Sequence, residues 1–426
     1  MSVATEQITK FKGFQLHTVK TDKFKTNNIV VKWRTPIAKE NVTHRALLPY
    51  VMQNSAEKYN TTTKLRSYVE ELYGATFFID LSKKGEYHIV SFTLEIVNEK
   101  FLSDPSPLLR KGLEFLSEVI FHPNVTDGAF EQSIVDNEKR ALKQRIQSIF
   151  DDKMRYSNQR VVDIMCENEP YAISVYGDKE EVDSITPQSL YQYYQQAIAE
   201  DQIDVYMVGD LDVSDVSTYI EEIFPFKERN AQSIDRRNFS SVEKVKEVRE
   251  VQDIKQGKLN MGFRTNIVYG DAEYFALQVL NGIYGGFSHS KLFLNVREKE
   301  SLAYYAASRL ESHKGLLLVM SGIDNQNYEK AVKIIKEQMD LMKKGEFTDQ
   351  EMMQTKAVIH NQMLETLDTS RGMVELFYHN SVSDSYVDMA EWLKAMSKVT
   401  REEIIAAASK IELDTVYFLT GSEGNA

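Results

Sequence analysis

The hydrophobic pattern of this chain switches between strand and helix periods, and it does so twice in the same order. Residues 14–36 (FQLHTVKTDKFKTNNIVVKWRTP) give two β-rich runs around a polar turn, which predicts a hairpin. Helical spacing follows in HRALLPYVMQNSAEKY, and a second helix, TKLRSYVEEL, runs into Gly74. Residues 75–97 alternate as a strand pair around Lys83, Lys84 and Gly85. Helices are then predicted in LLRKGLEFLSEVIF and GAFEQSIVDNEKRALKQRIQSIF. The half closes with a helix in LYQYYQQAIAE and a strand in IDVYMVGD.

The second half repeats this order at an offset of about 220 residues. KLNMGFRTN is strand-like, AEYFALQVLNGIYG and SKLFLNVREKE are helical, and LAYYAASRLESHKGLLLVMSGI alternates around a polar turn as 75–97 does. Thr126-Asp127 and Thr348-Asp349 stand at matching places and both read as helix N-terminal signals. VTREEIIAAASKIELDTVYFLTGS echoes ITPQSLYQYYQQAIAEDQIDVYMVGD. The polar stretch 226–250 falls where the halves join and reads as a linker. The expected fold class is therefore α+β: two homologous domains, 1–225 and 251–426, each a mainly antiparallel sheet covered by helices.

Composition narrows the function classes. The 426 residues are 42% apolar and 11% aromatic, which suits a folded chain of more than one domain. The net charge of −12, with no Lys/Arg block, disfavours a nucleic-acid or anionic membrane surface. Cys166 is the one cysteine, so no disulfide forms within the chain, and its apolar, helical surroundings predict a packed thiol. The first twenty residues contain no apolar run or arginine of the kind a secretory signal or mitochondrial presequence carries, and GLLLVM is far too short to span a bilayer. A cytoplasmic location is the expectation.

The duplicated arrangement, with LFLNVREKESLAYYAAS in its second half, resembles the pitrilysin-type metallopeptidases (inverzincins), which include insulysin and the mitochondrial processing peptidase. The resemblance covers essentially the entire chain. It implies halves or subunits that close around an extended peptide. One half would carry His-x-x-Glu-His and a distant glutamate as zinc ligands, and its partner half an Arg and a Tyr seven apart that hold the substrate backbone. Arg297 and Tyr304 match that pair. Gly285 and Gly286 resemble the family's glycine-rich loop, where a substrate backbone approaches closely; a helix C-cap followed by a turn is the equally plain alternative. For Arg297 and Tyr304 the plain alternative is a solvated helix end and a core strand residue.

The zinc motif is where the chain departs from the family. Two imidazoles four apart on one helical face must reach one Zn²⁺, and a carboxylate must take a proton from its water. Aligning ALLPYVM with the family's helix puts Leu47 and Val51 at the histidine positions and Tyr50 at the base, with Pro49 in the same turn. Glu138 fits the earlier glutamate of the distant helix, but the third-ligand position seven residues on is Arg145, a cation that repels a metal. The eight histidines (17, 44, 88, 122, 289, 313, 360 and 379) include no two within five residues, so no single helix turn supplies a pair. No Gly-x-Ser-x-Gly elbow is present, and Ser288, His289 and Ser290 are chain neighbours, which seldom face one another for catalysis.

The expectation is a non-catalytic, substrate-binding subunit of a two-chain zinc peptidase. It would hold no metal and no catalytic residue of its own, with the zinc expected in a homologous HxxEH-bearing partner subunit; a homodimer is the alternative partnership. The competing class is a stand-alone peptide-binding or scaffold protein.

Overall fold

In the computed structural model, which describes residues 5–103 and 106–421, the chain forms two compact units. The first comprises the chain up to Gln147, Ile173–Ile234 and Thr366–Tyr378. The second comprises Ser148–Ala172, Asp235–Glu365 and the chain from His379 onward. Each unit therefore includes a segment from the other half of the sequence.

The first unit holds strands β1 (Gln7–Phe11), β2 (Phe14–Lys20), β3 (Thr26–Pro36), β4 (Thr76–Lys84) and β5 (Tyr87–Val97). After the short hairpin of β6 (Val125–Thr126) and β7 (Ala129–Phe130) comes β8 (Gln202–Gly209). The sheet order is β1-β2-β8-β3-β5-β4, antiparallel except for β2 beside β8. The second unit holds β9 (Lys246–Val251), β10 (Gly257–Arg264), β11 (Ala303–Glu311), β12 (Leu316–Ile323) and β13 (Glu412–Thr420). Its order is β11-β12-β10-β13-β9, again with one parallel pair, β13 with β9. Taken from β9, the series β9, β13, β10, β12, β11 reproduces β2, β8, β3, β5, β4. The repeat in the sequence is a repeat of topology.

Three expectations fail here. Residues 14–36 do not form a hairpin, because β8, buried along almost its whole length, lies between β2 and β3 and pairs with both. Residues 246–250, expected within the linker, belong to β9. It is an edge strand in which exposed and half-buried positions alternate, and four of its six residues are charged, which hides it among polar residues. Thr126 and Asp127 form the turn of the β6–β7 hairpin, with Asp127 at φ 52°, whereas Thr348 does cap a helix through a reciprocal pair with Glu351.

Helices α1 (Val42–Met52), α2 (Thr62–Glu71), α3 (Leu108–Phe121), α4 (Gln132–Asp151), α5 (Lys153–Met165), α6 (Pro187–Glu200) and α7 (Val213–Ile223) come from the first half. From the second half come α8 (Tyr274–Asn281), two wide helical turns at Gly282–Gly286 and Phe293–Lys299, and α9 (Tyr328–Lys344). They are followed by α10 (Asp349–Leu367), α11 (Ser370–Ser383), α12 (Met389–Lys398) and α13 (Arg401–Ser409). The sequence echo before α6 and α13 has a structural cause. Thr186 and Thr400 both start capping boxes, with Ser189 and Glu403 as the returning partners.

Trp33, Phe92, Leu94, Leu113, Phe115 and Val205 pack the first core under α1, α3 and α6. In the second unit α5 packs on β10 and β13 through Val161, Val162, Met165 and the fully buried Cys166, whose thiol burial pushes up to about 12. None of the described helices is long and apolar enough to cross a membrane.

Candidate functional site

Helix α1 runs unbroken through Pro49, and near its start Thr43 Oγ1 donates to Glu181 and accepts from the Asp178 N–H. Leu47 and Val51 are 0% and 2% exposed and belong to the core of the first unit. Tyr50 and Asn54 instead face a cleft of about 450 Å³, lined also by Gln53, Leu65, Val69, Phe77, Glu138 and Arg145. The Arg145 guanidinium carbon lies over the Tyr50 ring, 3.7 Å from its centroid, and its Nη1 is 3.7 Å from Glu138 Oε2. Glu138 Oε1 accepts a hydrogen bond from Asn54 Nδ2 at 3.1 Å, and Asn54 Oδ1 accepts one from Thr62 at 3.1 Å. Burial keeps the Tyr50 phenol above its ordinary pKa, although the neighbouring Arg145 opposes this, so the hydroxyl remains a donor at neutral pH.

These residues do not fit a zinc ion. The two positions that would carry imidazoles are apolar and sealed in the core, and a guanidinium lies beside the one remaining carboxylate. Among the described residues no group of three or more His, Cys, Asp or Glu is placed to share a metal.

His44 sits in α1 with Nε2 3.1 Å from Ser189 Oγ, and burial lowers its pKa. His289 is 2.9 Å from Thr355 Oγ1, and Ser290 Oγ accepts from the Phe293 N–H, so the Ser-His-Ser run makes no catalytic pair. Two histidines far apart in sequence do converge: His313 Nε2 is 2.6 Å from His379 Nδ1, with Tyr269 stacked on both rings. Sixty-six residues separate them, so no local spacing could have shown the pair.

The second unit places the Arg/Tyr pair differently. Arg297 lies in the turn Phe293–Lys299, which packs on β11; its side chain is 43% exposed, 4.6 Å from the Phe293 ring centre and 3.6 Å from Glu298 Oε1. Leu302 N–H donates to Val296 O, and Ser301 takes a positive φ of 51°, which turns the chain into β11. In the β11–β12 ladder Ala303 faces Ile323 and Tyr305 faces Gly322, so Tyr304 is the extra residue of a bulge. Tyr305 lies across Gly322, where a Cβ would meet its ring at 2.4 Å, while Tyr304 turns outward and is 65% exposed. Tyr304 is thus not the core strand residue of the plain alternative. Gly285 and Gly286 end the turn Gly282–Gly286 at ordinary φ, neither in a loop nor at a left-handed C-cap. A Cβ on Gly285 would meet Ser308 Oγ at 2.5 Å, so this glycine lets the turn sit close on β11.

The comparisons with known proteins agree with this reading of the fold. The profile of the Peptidase M16 inactive domain matches residues 184–359. Over 424 residues, all of both chains, the sequence is 51% identical to the "Probable inactive metalloprotease YmfF" of Bacillus subtilis. A crystal structure of a conserved protein from Enterococcus faecalis superposes with a TM-score of 0.91 at 35% identity, covering 100% of each chain. The peptidase M16 inactive domain from Pseudomonas fluorescens shares the fold at 16% identity, with a TM-score of 0.81 over 99% of each chain.

A duplicated, mainly antiparallel α+β fold shared with these structures defines an M16-type peptidase scaffold, and its first helix here does not fit a metal. This chain belongs to the M16 peptidase family, as a homologue of the protein named "Probable inactive metalloprotease YmfF".

Proposed function

We propose that the protein is the substrate-binding, metal-free member of a two-chain zinc peptidase. Arg297 and Tyr304 would hold the carbonyl of a bound peptide while a homologous HxxEH-bearing chain supplies the zinc and its water. The observation that carries this reading is the bulge: it turns Tyr304 outward beside a helical turn that presents Arg297. A guanidinium gives charge-assisted hydrogen bonds to a carbonyl or developing oxyanion, and the phenol adds a second donor. Gly285 supports the site indirectly, by seating its turn on β11. In this reading the protein works in the cytoplasm, on short or unfolded peptides.

The test is hydrolysis of a quenched fluorescent peptide library, with zinc, by this chain alone and mixed with an HxxEH homologue. Activity is expected only in the mixture, falling about 10²-fold with Arg297→Ala and about tenfold with Tyr304→Phe. Hydrolysis by the chain alone, abolished by a chelator, would overturn the metal-free assignment. No hydrolysis in any combination would favour the second reading, a stand-alone peptide-binding or scaffold protein, to which the internally neutralised cleft of the first unit lends support.

A further inference from the structure

The two sheets end differently at equivalent edges. In the first unit the outer side of β2 is covered by β1. Among the described residues no strand pairs with the outer side of β9, the counterpart of β2 in the second unit. Such an edge presents a row of backbone N–H and C=O groups to any strand that its side chains tolerate. β9 reads Lys246-Glu247-Val248-Arg249-Glu250-Val251. Lys246, Val248 and Glu250 are half-buried: Lys246 Nζ donates to Ile164 O at 2.9 Å, and Glu250 accepts from the hydroxyls of Tyr156 and Tyr417. Glu247, Arg249 and Val251 are exposed, and Arg249 lies 2.9 Å from Glu329, itself 85% exposed. The two cations and two anions of β9 leave it neutral on a chain of net charge −12.

Antiparallel pairing of this strand with its own copy admits few registers. Opposed residues either both exchange backbone hydrogen bonds or both turn those groups away, so residues of like parity face each other and the twofold axis passes through a residue. An axis through Lys246, Glu247, Arg249 or Glu250 sets that charge against itself, and one through Val251 pairs only the last residue of the strand. An axis through Val248 sets Val248 against Val248, Glu247 against Arg249 and Lys246 against Glu250, so every opposed pair is complementary.

We propose that two copies of this chain associate through β9 in the register centred on Val248, joining two five-stranded sheets into one. About four to six backbone hydrogen bonds form, over less area than a standard interface buries, so the dimer is weak, with a Kd on the order of 10–100 µM. This association goes beyond the reading above and needs no zinc-bearing chain.

Sedimentation velocity of the full chain at about 5–500 µM tests it, in about 0.15 M salt to screen the net charge. The sedimentation coefficient should rise from that of a monomer to that of a dimer. Glu247→Arg and Arg249→Glu each put like charges opposite one another twice across the axis, and each should weaken the dimer at least about tenfold. Denaturant midpoints should stay near the parent's, because both side chains are exposed. An equimolar mixture of the two variants should associate again, since every changed side chain then meets an opposite charge, and so should a chain carrying both changes. A monomer at every concentration, a dimer indifferent to the single variants, or a mixture that stays monomeric would each overturn the proposal.

Discussion

The α1–α4 cleft of the first unit and the bulged start of β11 in the second have been shaped by opposite pressures. In the cleft, the positions aligned with metal ligands are Leu47 and Val51, both part of the core, and the one retained carboxylate is matched by Arg145. At β11 the chain adds a residue to the ladder and so exposes a tyrosine, and the helical turn before it carries Arg297, 3.6 Å from Glu298 Oε1. Without a metal a buried imidazole is an unpaid polar group, so the fold gains by replacing it with an alkyl side chain. An exposed Arg or Tyr costs the fold almost nothing and contributes almost nothing to it. The first region is explained by stability. The second is not, which is why the functional proposal rests there.

Returning an imidazole to the first region should have the largest effect on stability. Leu47→His removes packed alkyl groups from a fully buried site and puts polar ring nitrogens into the apolar core, a loss of about 2–5 kcal/mol. Urea denaturation should show a lower midpoint at unchanged slope. A loss below about 1 kcal/mol would mean that α1 still tolerates a ligand at 47, and the contrast between the regions would weaken.

The positions of most helices and strands were legible because each depends on local period. The partnership of β2 with β8 was not, since nothing in residues 14–36 encodes a strand from 202–209 arriving between them. β9 was missed because an edge strand with four charged residues in six looks like a linker. The loss of the zinc motif could be read from Leu47 and Val51. The Tyr50–Arg145 stack could not, because it depends on how α1 and α4 approach in space. The bulge at Tyr304 also has no sequence signal; Gly322, which makes room for the Tyr305 ring, lies on the neighbouring strand.

A second, smaller difference between the repeats concerns pH. On β2, His17 is buried between Glu6 Oε1 at 2.8 Å and Asp204 Oδ1 at 3.3 Å, and stacks on Tyr206. Burial alone would lower its pKa, but the two carboxylates outweigh it and raise it to about 9. The corresponding strand of the other repeat, β9, carries no histidine. Because the folded value lies above the unfolded one near 6.5, the stabilisation is complete below about pH 6.5 and is lost as pH rises through about 9. His17→Gln should flatten the decline in unfolding free energy across that window. An unchanged slope between pH 6.5 and 9 would show that the imidazole is not charged in the folded protein.

The smallest expected effect is the most informative for the comparison. Arg297→Ala and Tyr304→Phe should each change the unfolding free energy by no more than about 0.5 kcal/mol, since neither side chain is buried and the Arg297–Glu298 contact is a loose surface pair. Denaturant midpoints equal to the parent's, set beside the loss of hydrolysis expected in the mixture, would separate function from folding at this place. A destabilisation above about 1 kcal/mol would instead make the pair structural: Arg297 would be fixing the turn onto β11, and any loss of activity would follow from a displaced bulge and not from a missing donor. The bulge itself gives the control. Gly322→Ala forces the Tyr305 ring to move, so it should cost stability with Arg297 and Tyr304 both present. Stability lost there and kept in the two site variants would mean that the fold maintains the bulge while the exposed pair serves something outside the chain.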